Sequence, residues 1–277
     1  MKGNMLRSRI ASLAALLLCC CFAAGAQAQG QQPSQAPPGE ERPTQKGRVY
    51  LYDLEGIWVY GPYLEALAKA RMPHRVAKRT PPVVIGISRQ GRSYPVVITN
   101  FDKAAMQAAL DVEPDGKPGA YRLVLGAEDR PTSSAEVKYL RFAGTRNDKG
   151  KFDRLRMAEP YFMNGRWGEF VYLGGELAPR VNRIVIAGKY KDGRGRDWEF
   201  SDAGQASWPD RKFSYELSLN DPGADCEYLE TDDARAPDGK VRYGYAWSGG
   251  RLELFEASLV EKKVRCAARP FAVLSPQ

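Results

Sequence analysis

The stretch Val241-Arg242-Tyr243-Gly244-Tyr245-Ala246-Trp247-Ser248-Gly249-Gly250-Arg251 decides the fold class. Val241, Tyr243, Tyr245 and Trp247 share one parity, and small or charged residues take the other. In a strand, residues two apart point to one face, so this pattern describes a half-buried strand. Ser248-Gly249-Gly250 then turns the chain into a second strand over 251–260. Paired glycines tolerate the positive φ angles that tight hairpins demand.

The same signal recurs in both directions along the chain. Phe213, Tyr215, Leu217 and Leu219 alternate with polar residues, as do Tyr121, Leu123 and Leu125, and Val83, Ile85 and Ile87. Ile184 and Ile186, leading to Tyr190, suggest a strand over 183–191 that continues past Asp192-Gly193-Arg194-Gly195 into 196–201. Further hairpins are expected at Arg89-Gln90-Gly91-Arg92, at Asn147-Asp148-Lys149-Gly150 and at Asp238-Gly239. Two short helices interrupt the strands. One starts at Gly61-Pro62, places Leu64, Leu67, Ala68 and Met72 on one face, and ends at Pro73. The other runs from an Asp102 N-cap through Ala104, Ala105, Met106 and Ala109 to Leu110. No long helices alternate with strands, which argues against a parallel α/β sheet. The expectation is an all-β fold of about a dozen strands. An antiparallel meander closing into a β-barrel removes its exposed edges. The alternatives are a β-sandwich or two small β domains divided near 128–135 or 202–211.

The ends of the chain bear on where it works. Lys2, Arg7 and Arg9 precede an apolar run from Ile10 to Ala24, and Ala26 and Ala28 stand at the spacing of a cleavage site. Residues 1–28 read as a signal peptide with a mature start at Gln29. The run is short for a membrane span, and no later segment is apolar enough to make one. The expected location is the periplasm or the exterior. Lipid anchoring is the lesser alternative, because Leu16-Leu17-Leu18 precede Cys19 where small residues would be needed. Residues 29–47 are rich in Gln and Pro and read as a disordered linker. Residues 48–277 form the β domain. Losing Lys2, Arg7 and Arg9 lowers the formal charge from +8 to +5, and scattered cations of that sum are no nucleic-acid signature. Cys226 and Cys266 are then the two remaining cysteines, and an oxidising compartment predicts their disulfide.

Gly56-Ile57-Trp58 resembles the opening motif of the lipocalin family. The resemblance implies an eight-stranded antiparallel barrel plugged at one end by Trp58, with a small apolar or amphipathic ligand inside. The domain is longer than a usual lipocalin, and Thr231-Asp232-Asp233 does not complete a Thr-Asp-Tyr motif. Trp58, Tyr94, Tyr121, Trp198, Tyr215, Tyr243, Tyr245 and Trp247 would line such a cavity, or would fill the barrel if it is narrow. The alternative function is an envelope interaction or inhibitor protein acting through its outer surface.

Catalysis is not expected. His74 is the one histidine, so any Ser-His or Cys-His nucleophile system must use it, and its sequence neighbours suggest an exposed loop. No cofactor fingerprint and no metal-ligand spacing occurs. Arg71, Arg75, Lys78 and Arg79 make a basic cluster at the first helix, read as a solvated turn. Asp221, Asp225, Glu227, Glu230, Asp232 and Asp233 make an acidic one, without the spacing of a calcium loop. A hydrolase built from carboxylates distant in sequence would leave no motif.

Overall fold

The structure is a computed structural model that describes residues 48–126, 138–232 and 241–277. The expected signal peptide and linker, the candidate boundary at 128–135, Asp233 and the expected Asp238-Gly239 turn lie outside the described residues. Leu51–Gln277 form one compact unit, to which Arg48–Tyr50 do not belong.

Within that unit the antiparallel meander closes into a barrel, and it does so twice. The first barrel takes its strands in chain order: β1 (Gly56–Tyr60), β2 (Val84–Ile87), β3 (Tyr94–Thr99), β4 (Ala104–Pro114), β5 (Ala120–Gly126), β6 (Lys138–Ala143), β7 (Arg154–Ala158) and β8 (Trp167–Gly174). It closes where β8 returns to β1, with Tyr172 opposite Trp58 and Val171 opposite Val59. The second comprises β9 (Gly188–Asp192), β10 (Asp197–Phe200), β11 (Gln205–Trp208), β12 (Arg211–Leu217), β13 (Glu227–Thr231), β14 (Val241–Ser248), β15 (Arg251–Val260) and β17 (Ala272–Pro276). Here β15 pairs with β14 along one edge and with two neighbours along the other. Leu252–Leu254 pair with β17, which bridges to β9 and closes the ring. Ala257–Val260 pair instead with β16 (Lys263–Cys266), a flap outside the ring.

Three helices join the barrels. β1 of the first barrel runs directly into α1 (Gly61–Ala70), Arg71 takes the left-handed conformation at φ 53°, and α2 (Pro73–Ala77) follows. α3 (Ala178–Val185) lies between β8 and β9. Tyr63 and Leu67 of α1, Val76 of α2 and Val181 and Val185 of α3 are buried in the same cluster as the rings of the second barrel. Val59 and Val84 of the first barrel join that cluster, so one apolar core is continuous across the junction. No described helix is long and apolar enough to cross a membrane.

Two elements correct the sequence reading. Asp102–Leu110 is not a helix: β4 occupies Ala104–Pro114. Its alanines favour a helix, but Met106 lies opposite Val97 and Ala109 opposite Tyr94, and pairing overrides propensity. Asp102 sits instead in a tight turn, where its amide and that of Lys103 bond to Asn100 Oδ1. The expected strand over 183–191 begins only at Gly188, because residues to Val185 belong to α3. Short apolar runs do not separate the two periods, and the buried set Val181, Asn182 and Val185 has helical spacing. The junction at 175–187 coincides with neither boundary considered above, and 202–211 lies inside the second barrel.

Candidate functional site

The eight aromatic residues separate into two groups. Trp58, Tyr94 and Tyr121 belong to the first barrel. Trp58 is fully buried, donates its indole N–H to Leu54 O at 2.8 Å and meets the Tyr172 ring at 5.1 Å. Tyr94 is half-buried, and Tyr121, also half-buried, stacks on Phe142 at 5.4 Å. Trp198, Tyr215, Tyr243, Tyr245 and Trp247 belong to the second barrel and pack in its core. There the rings contact one another. Trp208 meets Trp198, Phe213 and Tyr243, each with centroids 4.8 Å apart, and Phe200 meets Tyr215 at 5.6 Å. Trp247 closes toward α3 by donating to Val185 O at 3.0 Å, with the Arg71 guanidinium 4.5 Å above its ring. Burial pushes the Tyr190 phenol up to about 12 against the nearby charge of Arg71, and its hydroxyl donates to Ile186 O at 2.6 Å. Tyr190, Tyr215 and Trp247 spend their polar tips on backbone carbonyls of the barrel and junction, while the Tyr245 hydroxyl and the Trp208 indole N–H have no partner among the described residues.

His74 overturns the expectation of an exposed loop residue: it lies on α2 and is 6% exposed. Its Nδ1 is 3.0 Å from Cys226 O and its Nε2 3.0 Å from Ser218 Oγ. A carbonyl only accepts, so in the neutral ring Nδ1 carries the proton and Ser218 donates to Nε2. Glu227, also buried, lies beside it. One carboxylate oxygen accepts the His74 amide at 2.8 Å and the other the Arg75 amide at 2.9 Å. A helix start leaves such amides unpaired, and an anion there is favourable. Burial raises the Glu227 carboxyl above its ordinary value, against the lowering effect of His74 and the two amides. Ser218, His74 and Glu227 thus meet in the order of an acyl-transfer triad. Both oxygens of Glu227 are spent on backbone amides, however, and its nearest approach to His74 Nδ1 is 3.9 Å. The group fastens α2, which belongs to the first barrel's β1–β2 connection, onto β13.

An adjoining cleft of about 410 Å³ is lined by His74, Glu227, Tyr245 and both cysteines. Cys226 and Cys266 are bonded, with Cα atoms 6.1 Å apart. Gly244 lies beneath the bond, and a Cβ there would fall 2.0 Å from Cys266 Sγ, so no other residue fits. The acidic cluster is consumed locally. Asp225 pairs with Arg265 at 2.8 Å, Glu230 pairs with Arg242 at 3.0 Å, and Asp221 accepts the Tyr228 hydroxyl at 3.0 Å. Among the described residues no group of three or more His, Cys, Asp or Glu side chains could hold a metal ion.

A second cleft, of about 550 Å³, opens on the outer surface of the second barrel. Lys191, Arg194 and Arg196 of the β9–β10 hairpin, Arg251 of β15, and Phe271 and Ser275 at β17 line it. Lys191 stands opposite Ser275 on one side and Asp197 on the other. Sequence reasoning read Asp192–Gly195 as a turn and missed the cleft, which gathers residues from three separate parts of the chain.

No family model matches the chain, and neither a curated protein nor a solved structure does.

Proposed function

We propose that this is an exported, non-catalytic binding protein that meets its partner with its outer surface and not with a ligand held inside a barrel. One observation supports this reading above the others: rings expected to line a cavity in the second barrel pack instead against buried rings of its core, Trp198 and Tyr243 against Trp208 and Tyr215 against Phe200. A drug-sized apolar ligand needs roughly 300 Å³ or more of largely preformed space. The clefts of about 410 and 550 Å³, at the helix junction and beside the β9–β10 hairpin, each exceed that size. The lipocalin-like reading, with a small apolar ligand inside, is the rival.

Native mass spectrometry of protein taken gently from its export compartment, beside its denatured mass, tests the proposal. The expected result is a mature chain starting at Gln29 with no small molecule bound. A stoichiometric apolar molecule released only on denaturation would overturn it.

A further inference from the structure

The 550 Å³ cleft has a charge pattern of its own. Four cations line it, and Asp192 is the one acid among its described lining residues. Asp192 does not offset them evenly. Its Oδ1 accepts the amides of Arg194 and Arg196 at 2.9 and 3.0 Å, and its Oδ2 accepts Arg196 Nε at 2.7 Å and the Trp198 indole at 3.3 Å. Its desolvation would raise the carboxyl, but these bonds outweigh that and lower it to about 2. The carboxylate is therefore a fixed, saturated part of the turn. Lys191 in turn is held by Asp197 at 2.8 Å.

Arg194 and Arg251 remain. Both are exposed, and neither has an ion pair among the described residues. Phe271 stands in the same cleft 42% exposed, although its ring also reaches Trp208 at 5.8 Å and Tyr243 at 5.9 Å. Two guanidiniums without counter-charges, a Ser275 hydroxyl and a half-exposed ring form one concave surface. Guanidinium forks match phosphate geometry and are weakly hydrated, so they bind such oxyanions in bidentate fashion.

We propose that this cleft binds a phosphate group, carried either by a lipid headgroup or by a small soluble phosphate ester, with Arg194 and Arg251 as its ligands and Phe271 against the adjoining apolar part. This deepens the outer-surface reading and rests on it. Calorimetry with inorganic phosphate, and co-sedimentation with phosphatidylcholine vesicles with and without phosphatidic acid, test it on the full mature chain. Binding in either assay is expected to fall roughly tenfold or more in Arg194→Glu and Arg251→Glu, since each charge-assisted contact is worth about that factor. Lys149→Glu, an exposed charge reversal in the first barrel, should leave it unchanged apart from a small general effect. Retention by acidic vesicles without binding of free phosphate assigns the lipid source, and the converse assigns the soluble ester. No binding of either probe, or an equal loss in Lys149→Glu, overturns the proposal. Those results leave the outer-surface reading standing, because that is decided by the native mass.

Discussion

The two barrels of this chain have the same strand number and opposite interiors. The first is filled mainly by aliphatic side chains: Ile85, Ile98, Leu123, Leu125, Leu140 and Leu155 are buried there around Trp58, Phe142 and Phe170. The second is filled by Trp198, Phe200, Trp208, Phe213, Tyr215, Tyr243 and Tyr245. Each also buries a carboxylate that takes backbone amides, at different range. Glu159 accepts from Phe162 and Met163 within its own turn, at 2.6 and 3.0 Å. Glu227 accepts from α2, more than 150 residues away in sequence. The buried acid of the first barrel is thus satisfied within its own turn. The second depends on large rings, a disulfide and helices supplied by the first barrel and by the junction.

The sharpest way to break this comparison is to empty the second barrel at its centre. Trp208 is 4% exposed and touches four other rings besides Phe200. Its indole N–H has no acceptor among the described residues, so a substitution loses packing and no hydrogen bond. Trp208→Ala is expected to cost up to about 5 kcal/mol in urea unfolding, the upper end for removal of a large buried ring. A cost near 1 kcal/mol would mean that the ring cluster is not the stabilising centre of this barrel.

Removing the disulfide should do somewhat less. Cys226 and Cys266 are 40 residues apart, for which chain entropy gives about 4 kcal/mol. The paired substitution Cys226→Ser, Cys266→Ser is expected to lower stability by about that amount. It should do so in a single transition, because the core is continuous from Val59 and Val84 into the second barrel. Two separated transitions in the variant would show that the barrels unfold independently and that the shared core does not couple them.

How much of this the sequence made legible depends on the range of each interaction. The alternation over 241–260 was readable because a half-buried strand writes its inner face into every second residue, and β14 and β15 follow it. β4 was not, because alanine fits a helix and a pleated sheet alike, and the partners that decide, Val97 and Tyr94, lie on another strand. Period-two patterning names the inward face but not the strand on which a sheet closes, so one ring and two look the same. The aromatic positions were legible as inward-facing, while their packing against Trp208 and Phe200 is a property of the closed ring. His74 was misplaced for a stronger version of this reason. Its neighbours in sequence are cations and a proline, and the groups that bury it, Ser218 and Glu227, are 144 and 153 residues away.

That long-range contact also provides the mildest test. Glu227 joins the barrels through the amides of His74 and Arg75, and burial raises its carboxyl above the ordinary 4.5. For an acid raised in the folded state, the folded protein binds the proton more tightly than the unfolded chain. Its contribution is therefore fully present below about pH 4.5 and is lost as pH rises through the folded value. Glu227→Gln removes this titration, keeps one oxygen to accept an amide and leaves the other amide facing an NH2 group. One unpaired buried amide costs about 1–3 kcal/mol, partly offset because a neutral side chain need not be desolvated as an ion. The expected net loss near neutral pH is about 1 kcal/mol, with a flatter dependence of stability on pH above 4.5 than in the parent. Urea unfolding of both proteins across that range measures the slope. A parent whose stability rises with pH through this window, with the variant unchanged in slope, would show that Glu227 is not the buried acid joining the two barrels.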